Sequence, residues 1–204
     1  MTIRLHRGDL PDLSAYGTVV AIDTETLGLN PNRDRLCVVQ LSPGDGSADV
    51  VQFPVGDTEA PNLVRLLRDP KRLKLFHFAR FDLAVLYKTF GVMPEPVYCT
   101  KVASKLARTY TDRHGLKDIV KELLGQDLSK QQQSSDWGAE TLSDAQVAYA
   151  AADVLHLHAL KERLDQMLAR EGRAEFADAC FRFLPVRARL DLAGFAEIDV
   201  FAHT

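Results

Sequence analysis

A mixed β-sheet flanked by α-helices, an α/β domain, is the fold class this sequence predicts. Three observations carry it. Short apolar runs rich in β-branched residues (Val19-Val20-Ala21-Ile22, Leu36 to Leu41, Ala48 to Phe53) have the length of buried strands. The last two flank Pro43-Gly44-Asp45-Gly46, a hairpin turn, so three antiparallel strands follow one another. Beyond residue 100 the apolar spacing becomes helical, with Leu116, Ile119, Val120, Leu123 and Leu124 in one stripe.

In chain order, residues 1–17 read as a lead-in, because Gly8, Pro11 and Gly17 interrupt any long element. The first strand covers about 18–24 and ends in a turn containing Gly28, Asn30, Pro31 and Asn32. After the hairpin, Asn62 to Arg68 forms a short helix with Leu63, Leu66 and Leu67 on one side. Leu73 to His77 is a fourth strand, feeding a helix that begins near Arg80. Pro94-Glu95-Pro96 breaks that helix off, and Val97-Tyr98-Cys99 makes a short fifth strand. Helices over 100–108 and 115–124 follow, the second capped by Gly125. Ser129 to Asp136 is a polar loop ending at Trp137, the only tryptophan. A long helix runs from Ser143 to about Arg170, and beyond Gly172 a last helix covers roughly 174–193.

A length of 204 residues suits one well-buried domain over 1–204 and is short for two. With 46% hydrophobic and 26% charged residues the composition is that of an ordinary soluble globular protein. The longest apolar runs fall far below a membrane span, and Met1-Thr2-Ile3-Arg4 opens no secretory signal. Cys37, Cys99 and Cys180 have neither zinc-site nor disulfide-framework spacing, which suits a reducing cytoplasm. A net charge of −3 argues against a large basic face for long duplex nucleic acid. A small or single-stranded substrate remains compatible, because a metal cluster supplies local positive charge.

Asp23 and Glu25 close the first strand two residues apart, so both point to one face. Unpaired they would repel, and one would be driven toward protonation; a divalent cation removes that cost. Taken alone, the pair could equally be a helix N-cap with an acidic first turn. Asp82, in His77-Phe78-Ala79-Arg80-Phe81-Asp82, stands just past a strand end at the start of a helix. Alone, it fits a first-turn anion at a helix dipole. Tyr149 and Asp153 are four apart on one helix face, with Ala150, Ala151 and Ala152 between them, and Ala145 and Ala148 extend a small-residue surface. An acid on such a core-facing helix is costly unless paired or metal-bound. Together the three pieces point to a carboxylate-held metal site.

In these three motifs, Ile22 to Thr26, His77 to Asp82 and Gln146 to Asp153, the sequence resembles the DEDD superfamily of 3′-to-5′ exonucleases. The tyrosine places it in the superfamily's tyrosine-bearing branch, in the ribonuclease D group. Gly115-Leu116-Lys117 and Asp136-Trp137 also look like that group. The resemblance implies a ribonuclease H-like (DnaQ-like) fold and hydrolysis of RNA to nucleoside 5′-monophosphates. It implies Asp23, Glu25, Asp82 and Asp153 as ligands of two Mg²⁺ or Mn²⁺ ions. Asp23 would bridge them, Glu25 and Asp153 would complete one site, and Asp82 would hold the other mostly through water. Tyr149 would orient the attacking water, since a phenol of pKa about 10 is a poor base at neutral pH. Oxygen-only ligands suit hard cations rather than zinc.

The group's single-domain nano-ribonucleases, which cleave dinucleotides and assemble as octameric rings, are the members this chain resembles most. The helical nucleic-acid-binding domains of ribonuclease D are not expected in 204 residues. The implied partners are short single-stranded RNA or dinucleotides, with DNA open, no membrane, and further copies of the chain. For substrate contacts, backbone amides of Thr26, Leu27 and Gly28 could meet the terminal 3′-hydroxyl, and Leu29 could wedge between the last two bases or pack in the core. His77 could contact substrate or be a satisfied strand-end histidine, and Trp137 could stack a base or pack. Lys130, Gln131 and Gln133 could contact a 5′-phosphate. The basic run Lys101, Lys105, Arg108, Arg113, His114, Lys117 and Lys121 is either a solvated face or a strand-guiding path. The apolar tail over 174–204, from Phe181 to Phe201, packs back on the domain in part and leaves groups for a subunit interface. The other functional readings are a ribonuclease D-like exonuclease on longer RNA, tRNA 3′ ends or DNA, and an inactive nucleic-acid-binding module.

Overall fold

The structure, a computed structural model, describes residues 2–129, 131–132 and 134–203. Six strands form one mixed sheet: β1 (Thr2–Arg7), β2 (Val19–Thr26), β3 (Leu36–Ser42), β4 (Ser47–Gln52), β5 (Leu73–Phe76) and β6 (Val97–Cys99). Their order is β1-β4-β3-β2-β5-β6. The antiparallel meander β2-β3-β4 lies at the centre. β1 adds parallel to β4, and β5 and β6 extend the other side in parallel. Both β3 and β4 are buried along their whole length, which is why they read as near-continuous apolar runs.

Among the described residues there are seven α-helices: α1 (Pro61–Arg68), α2 (Ala79–Phe90), α3 (Thr100–Ala107), α4 (Leu116–Leu124), α5 (Asp144–Leu155), α6 (Leu157–Arg170) and α7 (Ala174–Leu190). A π-helical turn over Asp191–Phe195 leads into the tail. α5 packs across β1 to β4, while α2 contacts β2, β3, β5 and β6. Among the described residues no helix is long and apolar enough to cross a membrane.

Three expectations need correction. The lead-in contains a strand, β1, in which Arg4 and His6 both reach Asp49 on β4. Half-exposed and carrying charge, it lacks the apolar signature of a central strand. The long helix after Ser143 is two helices, joined at His156, whose φ −99°, ψ −9° stays right-handed but departs from regular α-helical angles. Beyond that break α6 packs on α3, α4 and α7 and touches β5. On α5, Ala145 and Ala148 face solvent, and the buried face is Gln146, Ala150, Ala151 and Val154.

Candidate active site

The acids meet at the C-terminal end of β2. Asp23 and Glu25 leave one face of the strand, and α5 brings Asp153 to them, so that one carboxylate oxygen from each lies within 4.8 Å of the others. α5 is placed for this by a capping box, in which the Ser143 side chain accepts from the Gln146 amide and Gln146 reaches back to the Ser143 amide. The Gln146 side chain also donates to Asp136 O at 3.0 Å, tying the preceding loop to the helix. A register shift between Glu25 and Thr26 breaks the β2–β3 ladder next to the site, the kind of irregularity that re-aims a side chain.

Asp82 is buried in the first turn of α2 and stands outside that tight trio. It accepts a 2.7 Å hydrogen bond from Thr24 Oγ1, whose side chain leaves the opposite face of β2 from its acidic neighbours. Phe78, just before α2, adopts a left-handed backbone at φ +68°, uncommon for a bulky side chain and a form of strain that collects at functional sites. Its ring is exposed, with Lys101 Nζ 4.1 Å from the ring centre.

Burial acts on all four acids, and the charges of their neighbours on Asp23, Glu25 and Asp82. Burial, then the charges of Asp82, Asp153 and Glu25, pushes Asp23 well above the usual carboxylate range. Burial and the neighbouring Asp153 and Asp82 raise Glu25 to about 9. Asp82 and Asp153 rise to about 7, chiefly through burial, against the opposing hydrogen bonds from Thr24 and Tyr149. Burial and the same acids also push the Tyr149 phenol up, so it stays protonated at neutral pH. Among the described residues, no lysine or arginine forms an ion pair with any of the four. A cluster of half-buried, converging carboxylate oxygens without a cationic side chain is what a divalent cation fits.

A cavity of about 510 Å³ opens over the acids, and its wall includes Asp23, Glu25, Asp82, Tyr149 and Asp153 together with Thr26, Leu27, Gly28, Leu29, His77 and Trp137. Leu29 is 88% exposed, which removes it from the core. A Cβ at Gly28 would sit 2.4 Å from an Asp34 carboxylate oxygen, so any larger residue there would have to displace the Asp34 side chain. The Leu27 N–H already donates to Arg35 O at 3.1 Å, so that amide is not free for a substrate hydroxyl. His77 Nδ1 lies 2.9 Å from Thr100 Oγ1, and burial with nearby Lys101 lowers its pKa to about 3, so the ring is neutral. Trp137 is buried, its ring tilted against Tyr149 at 6.0 Å, and it therefore supports Tyr149 rather than presenting a free stacking face. Lys130 and Gln133 lie outside the described residues, and Gln131 is exposed.

The cavity also includes Thr24, Phe78, Phe81, Ser134 and Ser135, which sequence reasoning did not single out. The basic run divides. Arg108 is fully buried against Glu122, Ser104 and Arg113 O, and Lys121 pairs with Asp127, whereas Lys101 stands at Phe78 beside the cavity.

Comparison with known proteins follows the same lines. A family model described as 3′-5′ exonuclease matches residues 10–169. A ribonuclease D from Gluconacetobacter diazotrophicus is 40% identical over 157 residues, 77% of this chain and 39% of that protein. The chain thus spans about two fifths of the length of such curated relatives. The NrnC of Brucella melitensis, solved with bound Mg²⁺, is 64% identical with a TM-score of 0.96, covering 100% of both chains. The same protein bound to pGG is 65% identical with a TM-score of 0.97, again over 100% of both chains. Escherichia coli RNase D, an exoribonuclease involved in structured RNA processing, is 28% identical with a TM-score of 0.76, covering 86% of this chain and 46% of that one.

Proposed function

The chain belongs to the 3′-5′ exonuclease family, and we propose that it is a metal-dependent 3′-to-5′ exoribonuclease acting on very short RNA, above all dinucleotides. The full-length likeness to a protein bound to pGG carries the choice of substrate. Support for the chemistry comes from the converging carboxylates and the cavity above them.

Asp23, Glu25 and Asp153 would hold one Mg²⁺ or Mn²⁺, and Asp23 with Asp82 a second. Such ions, when bound, supply Lewis acidity that activates water and neutralises charge on the leaving 3′-oxygen. The residues of the chain do the rest. Thr24 holds the Asp82 carboxylate through a hydrogen bond. Tyr149, beside Asp153 and braced by Trp137, orients the attacking water as a neutral phenol and is not its base. Leu29 projects into the cavity mouth, where it would separate the two bases, and neutral His77 can donate or accept without adding charge. The product is a nucleoside 5′-monophosphate.

We also propose that the protein is a homo-oligomer that closes into an octameric ring. Its exposed apolar tail residues, Phe195, Ile198, Val200 and Phe201, support this. A ribonuclease D-like action on longer RNA, tRNA ends or DNA is favoured only by the curated relatives, of which this chain matches a part. An inactive binding module is disfavoured because all four acids and the tyrosine are present and close.

The test is a time course on 5′-labelled RNA of two, three, seven and about twenty nucleotides beside matched DNA, with Mg²⁺, Mn²⁺ or chelator. The expected outcome is rapid loss of the dinucleotide and slow trimming of longer chains, with no cleavage in chelator. Equal trimming of long RNA with a persistent dinucleotide would move the assignment to the ribonuclease D reading. No cleavage under any condition would leave the binding module.

A further inference from the structure

Gln40 lies in β3 among Val38, Val39 and Leu41, and it is fully buried. An amide in such a run costs stability unless its polar ends are paired. The strand register explains its place. Gln40 is the direct cross-strand partner of Asp23, so both side chains leave the same face of the sheet. Its Nε2 donates to Asp23 Oδ2 at 2.5 Å, while its Oε1 is buried with no partner among the described residues. Among the described residues the amide makes one side-chain hydrogen bond, and that bond is to the acid at the centre of the site.

Building on the metal-dependent reading above, we propose that Gln40 is a positioning residue that orients the Asp23 carboxylate for cation binding. The chemistry of an amide suits this task. A lysine or arginine at the same position would donate as well, but it would neutralise Asp23 and compete with the ion. The neutral amide engages one oxygen and leaves the full negative charge, with the other oxygen available as a ligand. It also holds in place a side chain that the charges of Glu25 and Asp153, within 4.8 Å, would push away.

The test compares the wild type with Gln40→Met, which keeps a side chain of similar length without the donor. A second variant, Gln40→Asn, keeps the amide but withdraws it by one methylene. Calorimetric titration of substrate-free protein with Mn²⁺ reads cation affinity directly. The Mg²⁺ dependence of dinucleotide cleavage gives a half-saturating concentration, and the melting temperature in chelator reports the fold. The expected result for Gln40→Met is a loss of cation affinity of roughly 10- to 100-fold, with cleavage partly recovered at high Mg²⁺. Gln40→Asn should lose less, and its chelated melting temperature should stay close to that of the wild type. Unchanged Mn²⁺ affinity in a folded variant overturns the proposal and leaves Gln40 a packing residue. Should Gln40→Met fail to fold, Gln40→Asn decides by the same criterion. A wild type that binds no divalent cation is a different failure, since it removes the metal-dependent reading itself.

Discussion

Asp153 serves two opposed demands. For chemistry it must converge with Asp23 and Glu25; for folding, three acids within 4.8 Å are a liability, because they can ionise together only against burial and repulsion that no cationic side chain nearby relieves. Replacing it by asparagine keeps the shape and removes one charge. Asp153→Asn is therefore expected to raise the melting temperature in chelator, by about 2–4 °C if the relief is near 1 kcal/mol. Cleavage should fall by roughly 10³-fold or more, the scale of losing a central catalytic group. Excess Mg²⁺ should stabilise the wild type, by about 2.7 kcal/mol at 100 times its dissociation constant, and stabilise the variant much less. Thermal melts with and without Mg²⁺ check the stability changes and dinucleotide cleavage rates the loss of activity, and a chelated variant less stable than the wild type would refute the strain argument. At this scale the acids were legible in the sequence because each sits at an abrupt change of pattern, a carboxylate closing an apolar strand or facing alanines. Gln40 left a fainter trace, one amide inside the run Leu36 to Leu41, whose meaning depends on a register that spacing alone does not give. The occupied Leu27 amide and the buried Trp137 ring depend on loop conformation, and no period encodes that.

Among the elements, β1 shows how a strand can be invisible to apolar patterning and still be fastened. Its anchor is Asp49 on β4, nearly buried, which accepts from Arg4 Nε at 2.7 Å and Tyr16 Oη at 2.6 Å and lies 2.7 Å from His6 Nε2. Burial alone would raise this carboxyl, but the hydrogen bonds from Arg4, Tyr16 and His6 hold it at about 2, against 3.8 when free. A carboxyl depressed in the folded state stabilises above its free value and loses that contribution as pH falls through its folded value. The contribution is about 2 kcal/mol, present above pH 4 and lost toward pH 2. Urea unfolding of the wild type should therefore weaken across that window. Asp49→Asn should be less stable at pH 7 and show a flatter acid limb, and an unchanged limb would assign the acid sensitivity elsewhere. The central strands and most helices were legible because burial on both faces or one stripe writes itself into the period. β1 and the break at His156 were not, since one is held by charges contributed from β4 and the other by packing of α6 on α3, α4 and α7.

On the scale of the molecule, the tail is where fold and assembly meet. Phe181 and Leu184 of α7 pack into the domain, so the first part of the apolar tail is ordinary core. Farther on, Arg187 donates to the carbonyls of Phe195, Ala196 and Ile198, and its guanidinium lies 3.0 Å from Asp191. Asp191 is bound in turn by Arg80 at the start of α2, two residues before Asp82. The turn is thus fastened from both sides, while Ile198 is exposed and Phe201, with its ring 5.5 Å from that of Phe183, is still 76% exposed. Apolar groups held by a fastened turn have already lost the entropy that a flexible segment would lose on association, which supports the proposed homo-oligomer. Light scattering on eluted protein should give a mass that is a multiple of 22.7 kDa. The double variant Ile198→Asp, Phe201→Asp should give 22.7 kDa with its far-ultraviolet spectrum intact. A monomeric wild type would refute the assembly, and an oligomeric variant would move the interface elsewhere. Because Arg80 couples the tail to the helix that carries Asp82, the monomeric variant should also cleave dinucleotides more slowly than the assembled protein, with KM changed along with kcat.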